Sequence, residues 1–489
     1  MVDLVAEGAG SFVDGRWVGG TPFEVENPAD CSTVCTAASA SPSAVERALD
    51  SSRRSFDSGE WSERSPAERA ATDADLIDHV EHRHDELVAT MVAEAGQLRT
   101  YAEFAQFAMG IDLARTTVEL YLALDDEAVN DVPVDELVRG RVALSVRRLE
   151  PVGVVTAITP FNGAVIMAVQ KIVPALLTGN SVNLRPSPLT PLSSRVFAEA
   201  AEAAGLPPGV LNVVVEDGSD AAERLTSDER VDMVSFTGST SVGRRIASQA
   251  AATVKRVALE LGGKSAQIYL ADAVDRAPAG GVSSMAIHSG QACVAATRML
   301  VPSEQKAEVL DAVTAAIGAL VVGPPSDDTA MVGPLIDAAA VARCQEIVDR
   351  AERDGAKVVV GGTRPPHLGE GHYFEPTVLD VPDNSNPAAQ EEIFGPVLCV
   401  MGYRDPDDAV RIANDSQYGL SGQVFGSDTA AATELARRLR TGSVNVNTML
   451  FSAYAPGGGF KQSGLGRERG VEGIRCFQEV KHMAIGELR

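Results

Sequence analysis

Between Val152 and Ala252, short apolar runs alternate with helix-length amphipathic runs, and no other feature of the chain restricts its fold so tightly. Val152–Thr156, Ser181–Leu184, Val210–Val215 and Met233–Phe236 read as strands, while Val165–Leu177, Leu192–Ala204 and Val242–Ala252 read as helices. Gly179 ends the first helix, and Gly205 with Pro207 and Pro208 closes the second. The pattern predicts a doubly wound α/β domain, and a similar alternation from Ala266 to Cys399 predicts a second. Upstream, Ser11–Val18 is strand-like, Ser41-Pro42 is a helix start, and helical patterns run to Leu124. From Val132 to Val155 apolar and polar residues alternate, as in Arg141-Val142-Ala143-Leu144-Ser145-Val146, which fits exposed-edge strands. These strands read equally as an oligomerisation arm or an ordinary hairpin. Gly470–Arg489 reads as a further extended segment.

One domain per roughly 150 residues gives about three domains or subdomains. The absence of internal repeats and low-complexity linkers predicts that they interweave. Lys and Arg number 42 against 67 Asp and Glu, a formal charge of −25. That surface repels phosphate backbones and anionic lipid, so neither nucleic acid nor membrane is an expected partner. No apolar run approaches the ~20 residues of a membrane span. Met1-Val2-Asp3-Leu4 lacks the positive start of a signal peptide, and a cytoplasmic location is the default expectation. The six cysteines (31, 35, 293, 344, 399 and 476) read as reduced thiols. Cys31 and Cys35 have no nearby histidine or second cysteine pair, so no metal is expected. His79, His82 and His84 read as part of a solvated helix face.

Three local patterns carry chemistry. Phe236-Thr237-Gly238-Ser239-Thr240-Ser241-Val242-Gly243 joins a strand to a helix start, where free N–H groups attract phosphate. It is not the usual G-x-G-x-x-G, and by itself it is more often an ordinary glycine-containing strand–helix turn. Glu260, in Glu260-Leu261-Gly262-Gly263-Lys264, stands among apolar residues and glycines, a setting that raises a carboxyl pKa toward that of a general base. Cys293, in Ser289-Gly290-Gln291-Ala292-Cys293, is a soft nucleophile suited to an aldehyde carbon, although a lone cysteine is more often a packing residue.

Together with Pro160-Phe161-Asn162, Glu391-Glu392-Ile393-Phe394-Gly395-Pro396 and Lys461-Gln462-Ser463-Gly464-Leu465-Gly466-Arg467-Glu468, these strings remove the ambiguity. From about Phe12 nearly to its end the chain resembles the aldehyde dehydrogenase superfamily. The resemblance implies a Rossmann-like dinucleotide-binding domain (1–129 and 149–260), an α/β catalytic domain (261–465) and a small oligomerisation sheet (130–148 and 466–489), in a homodimer or homotetramer. It implies oxidation of an aldehyde to the acid through a thiohemiacetal and a thioester on Cys293. Asn162 and the Cys293 N–H then hold the oxyanion, Glu260 activates water, and Lys171 and Glu468 lie near a proton path. For the cofactor, NAD or NADP, it implies Ile158, Thr159, Pro160, Phe161, Arg185, Ser187, Gly218, Phe236, Gly238, Ser239, Gly243, Leu261, Glu392 and Phe394.

The sequence departs from the family pattern at two places. Arg185 replaces the usual ribose-binding lysine, and Pro188 replaces the glutamate of many NAD-preferring relatives. Dual or NADP-leaning use and plain NAD use both stay open, with NAD slightly favoured. In the substrate funnel, Gly163, Gln170 and Gly457 stand where aromatic side chains are common. That predicts a wider tunnel for a bulky, ring-bearing or terpenoid-sized aldehyde, unless Met167, Met449, Phe451 or Tyr454 refill it. A semialdehyde-specific or CoA-acylating relative is the alternative enzyme, and a silent binding protein the alternative class. Glu260 speaks against the acylating kind, and Asn162, Glu260 and Cys293 together speak against the silent one.

Overall fold

Parallel strands buried on both faces need near-continuous apolar sequence, and this chain uses such strands in two sheets of a computed structural model describing residues 8–131, 136, 139 and 144–486. The first sheet has eight strands. From one edge they run Gly464–Leu465, Arg256–Glu260, Met233–Thr237, Val154–Ile158, Ser181–Arg185, Leu211–Val213, Ser11–Val13 and Arg16–Val18. The five central strands are parallel, and antiparallel pieces finish both edges. The second sheet has seven strands, ordered Lys357–Val360, Thr377–Asp380, Val397–Tyr403, Arg298–Pro302, Ala266–Tyr269, Gly422–Phe425 and Asn445–Val446. The chain thus folds as α/β with helices packed on both sheets.

The predicted elements of the first alternation all form, with ends shifted by a few residues. The first helix is Ile166–Leu177, almost wholly buried between the sheet and its neighbours. The next opens with a 3₁₀ turn at Leu192–Ser194 and continues as Arg195–Ala203. The third is Thr240–Ala250. Ser41 caps the Pro42–Ser58 helix by accepting from the Ala44 N–H, as Ser-Pro predicts. A π-helical turn, Ala102–Ala108, precedes the Met109–Leu122 helix; nothing in the sequence announced it.

The C-terminal segment differs from expectation. Gly470–Arg475 is a short helix, and only Gln478–Ile485 is extended. That strand pairs antiparallel with Leu144–Pro151, which pairs in turn with Glu127–Val129 in a three-stranded sheet. The Arg141–Ala143 part of the alternating segment lies outside the described residues. The histidine reading also changes. His79 is half-buried with an unpartnered Nε2, and the His84 ring meets the edge of Phe107 at 4.6 Å, so only His82 is exposed. Among the described residues, no helix is long and apolar enough to cross a membrane.

Candidate active site

Glu260 is the last residue of its strand, paired with Thr237 on one side and Gly464 on the other. Its carbonyl accepts from the Gly238 N–H at 3.0 Å, and Leu261 donates to the Ser463 carbonyl at 2.9 Å. The carboxyl group is therefore fixed at the C-terminal edge of the parallel strands, where open α/β sheets bind ligands. Its buried Oε1 has no hydrogen-bond partner. Burial, and then the charge of Glu468, push its pKa up to about 8 against the pull of Lys171, Arg467 and Arg469. A Cβ on Gly458 (φ 137°) would stand 2.6 Å from that oxygen, so only glycine leaves the carboxyl its space. Lys171 is fully buried, ion-paired with Glu468 and 3.2 Å from the Ser235 hydroxyl.

Cys293 follows a strained turn. His288 and Ser289 adopt φ of 46° and 57°, rare for residues with side chains. Long-range bonds hold this turn in place. Ser289 donates to the Gly333 carbonyl at 2.9 Å, and the Gln291 side chain accepts from the Ile336 N–H at 2.9 Å. The His288 ring stacks on Tyr101 at 5.3 Å. Asn162 Nδ2 donates to the Gln291 carbonyl at 2.8 Å, leaving its second N–H uncommitted to that bond. Gln106, from the π-helical turn, donates to the Asn162 carbonyl at 3.2 Å and fixes the residue from behind. Burial first, then the charges of Glu392 and Glu260, push the Cys293 thiol up to about 12, while its own N–H and that of Val294 favour the thiolate.

The residues expected at the nucleotide lie along the edge of the first sheet and the loops facing it. Ser239 caps the Thr240–Ala250 helix by accepting from the Val242 N–H at 3.4 Å. Gly238 and Gly243 are required by close packing: Cβ atoms there would lie 2.5 Å from the Phe236 ring and 2.3 Å from Leu261 Cδ2. Glu392 accepts from the Gly263 N–H at 2.9 Å, and Phe394 (φ 56°) meets Phe161 edge-on at 5.8 Å. Ile158 and Thr159 are buried at the end of the neighbouring strand, where Thr159 donates to the Arg185 carbonyl at 3.1 Å. Arg185 itself donates from Nε to Glu216 at 2.7 Å and from Nη2 to the Gly218 carbonyl at 2.5 Å. Ser187 Oγ accepts from the Leu189 N–H at 3.3 Å.

The model of the aldehyde dehydrogenase family matches residues 17–483. The chain belongs to that family. A geranial dehydrogenase from Castellaniella defragrans is 39% identical over 96% of this chain and 97% of its own length. A 3-succinoylsemialdehyde-pyridine dehydrogenase from a Pseudomonas species is 36% identical over 96% and 97%. Among solved structures, an aldehyde dehydrogenase of Mycobacterium tuberculosis complexed with NAD+ superposes with a TM-score of 0.93, at 37% identity and 98% coverage of both chains. A mutant aldehyde dehydrogenase C of Pseudomonas syringae, complexed with NAD+ and octanal, gives 0.92 at 36% identity, covering 97% of this chain and 96% of that one. This chain is an NAD(P)-dependent aldehyde dehydrogenase.

Of the three positions expected to line the substrate funnel of this dehydrogenase, two are filled by neighbours. A Cβ on Gly163 would meet Met167 Cγ at 2.7 Å, so Met167 takes that space. Beside Gly457 it is the Arg469 guanidinium, 2.2 Å from where a Cβ would be. Phe451 packs with Met167 against Leu113, Ile166 and Ala453. Met449 and Tyr454 are mostly exposed, Tyr454 donating to Glu119 at 3.1 Å, and do not refill the funnel. Sequence reasoning passed over Arg469; its signal was a second arginine directly after the Glu468 of Gly-Arg-Glu.

The fold brings a histidine to Cys31 that the sequence keeps far from it. His372 lies 3.8 Å from Cys31 and 2.6 Å from Glu26, joined across more than 300 residues of chain that no local spacing reveals. The three side chains form an exposed cluster that the His372–Glu26 bond already accounts for.

Proposed function

We propose that Cys293 is the covalent nucleophile, Asn162 the oxyanion donor and Glu260 the general base, acting on a bulky aldehyde. The carrying observation is convergence. The Glu260 carboxyl acts electrostatically on the Cys293 thiol, and Asn162 is bonded two residues before that thiol. The Cys293 sulfur adds to the aldehyde carbon as its proton passes to Glu260, and the spare Asn162 N–H and the Cys293 N–H meet the negative oxygen. Bound NAD(P)+ supplies the acceptor for the hydride whose loss makes the thioester. Once the thiol proton has passed from Glu260 toward Glu468 and Lys171, Glu260 removes a proton from water, the water oxygen attacks the thioester, and the acid leaves as a returning proton restores the thiol. Lys171 and Glu468 pass the proton onward.

The residues present fit the dinucleotide. A capped helix N-terminus stands at the Gly238–Gly243 turn for the pyrophosphate, Glu392 is held on a backbone N–H for the ribose, and Phe394 lies beside it. We favour NAD over NADP. The Arg185 guanidinium is already satisfied by Glu216 and Gly218, and the Glu216 carboxylate adds negative charge where a 2′-phosphate would arrive. The relatives named for geranial and for a pyridine-bearing semialdehyde support a substrate larger than acetaldehyde. We further take residues 1–129 with 149–260, 261–465, and 130–148 with 466–489 as nucleotide, catalytic and oligomerisation parts. The exposed Val480 and Ile485 on the outlying sheet support a homodimer or homotetramer.

The test is a stopped-flow burst of reduced nicotinamide with an aldehyde panel under each cofactor. The wild type should show aldehyde-dependent turnover, and Cys293→Ala none with any aldehyde. Retained turnover in the variant, or acetaldehyde surpassing every larger aldehyde in kcat/KM, would overturn the corresponding part.

A further inference from the structure

Arg469 is a cation in the substrate wall that is joined to no carboxylate or hydrogen-bond acceptor among the described residues. It follows Glu468 directly, and its φ of 64° accompanies a change in chain direction there. The guanidinium carbon stands 4.4 Å from the centre of the Phe451 ring, and one nitrogen occupies the space over Gly457. Among the described residues it has no carboxylate within ion-pair distance and donates no hydrogen bond. Its neighbour Arg467 differs, donating to the carbonyls of Gly459 and Gly466. Nor is Arg469 a free surface group. Burial pulls its pKa down, against the charges of Glu468, Glu260 and Cys293, which push it up. Gln170, buried on the Ile166–Leu177 helix, likewise makes no hydrogen bond among the described residues. The two side chains border one small cleft with Leu113, Thr117, Pro174 and Ile474.

A half-buried guanidinium is costly without an anion, and a planar carboxylate is the anion its fork of donors matches best. The apolar cluster of Leu113, Ile166, Met167 and Phe451, whose Phe451 ring carries the guanidinium, suits a hydrocarbon body next to that anion. We propose that Arg469, assisted by Gln170, forms a subsite for a carboxylate at the far end of the substrate, so that the preferred aldehyde is a semialdehyde acid with an apolar middle. This rests on the assignment of Cys293 as the nucleophile.

Three aldehydes of one chain length separate the possibilities: an ω-carboxylate, its methyl ester and the ω-sulfonate. For the wild-type holoenzyme, kcat/KM for the carboxylate should exceed that for the ester by about 10- to 100-fold, chiefly through KM, and the advantage should shrink with added salt. Arg469→Met should bring the ratio to near one, and Arg469→Lys should restore part of it. The corresponding dicarboxylate should protect Cys293 from alkylation in the wild type and not in Arg469→Met, a readout independent of turnover. A sulfonate served as well as the carboxylate would overturn the carboxylate assignment in favour of a general anion site. Equal use of carboxylate and ester by the wild type would overturn the proposal. So would an Arg469→Met variant that lowers both substrates alike while shifting the pH profile, since that marks a role on Glu260. Failure of the nucleophile assignment is recognised separately, by Cys293→Ala turning over any of the three.

Discussion

Two arginines of this chain have their charge met in opposite ways. Arg185, at the end of a strand of the first sheet, is closed off, with Glu216 and the Gly218 carbonyl taking its donors. Glu216 in turn accepts from the Ala221 and Ala222 N–H groups. Around the proposed reacting groups, the side chains of Arg469 and Gln170 and the Oε1 of Glu260 have no hydrogen-bond or ion-pair partners among the described residues. A site that satisfies its own polar groups is fixed in shape. One that leaves them open is built to be completed by what enters, because an unpaired buried group gains most when a partner arrives.

Four substitutions test that contrast. The largest effect belongs to Glu260→Gln in the open site. Steady-state turnover should fall by about 10²- to 10⁴-fold, and the first burst of reduced nicotinamide, seen by rapid mixing, should slow as well. A variant with full steady-state turnover would show that the unpartnered oxygen is idle. Gly458→Ala places a methyl group 2.6 Å from that oxygen, and should lower kcat by about 100-fold with little change in nucleotide affinity by titration. In the closed site, Glu216→Gln should release Arg185. The NADP/NAD ratio of kcat/KM should rise by about 10-fold, and thermal unfolding should show a loss of about 3 kcal/mol. An unchanged ratio would mean that Arg185 never faces the phosphate position. The smallest effect is a displaced pH profile. With Glu260 pushed up to about 8, the base is protonated below that pH, and the hydrolytic step should speed up as pH rises through it. Glu468→Gln removes a negative neighbour and leaves Lys171 unpaired, both favouring the Glu260 carboxylate, so the rise should move to lower pH by about one unit.

The strand–helix alternation was legible because parallel strands buried on both faces must be apolar throughout, as Met233–Thr237 is. Cys293, Glu260 and Asn162 were legible through short strings around each. What escaped the sequence depends on chain brought together from far apart. The Arg185–Glu216 pair and the Cys31–His372 contact span segments with no shared local pattern. The sequence led us to expect open space at Gly163 and Gly457, but which neighbour moves into each position is decided by packing. Met167 lies one helical turn from Gly163 and was foreseeable, whereas Arg469 reaches Gly457 across a turn. The helix Gly470–Arg475 was missed because six residues with two glycines carry almost no periodic signal.

The two-residue pairing of Gly464–Leu465 with the strand of Glu260 means that the base and the protein's tail share one piece of scaffolding. From Gln478 the same run of chain becomes an edge strand of the three-stranded sheet. A pull on that outlying strand is thereby carried along one stretch of backbone to the wall around the Glu260 carboxyl.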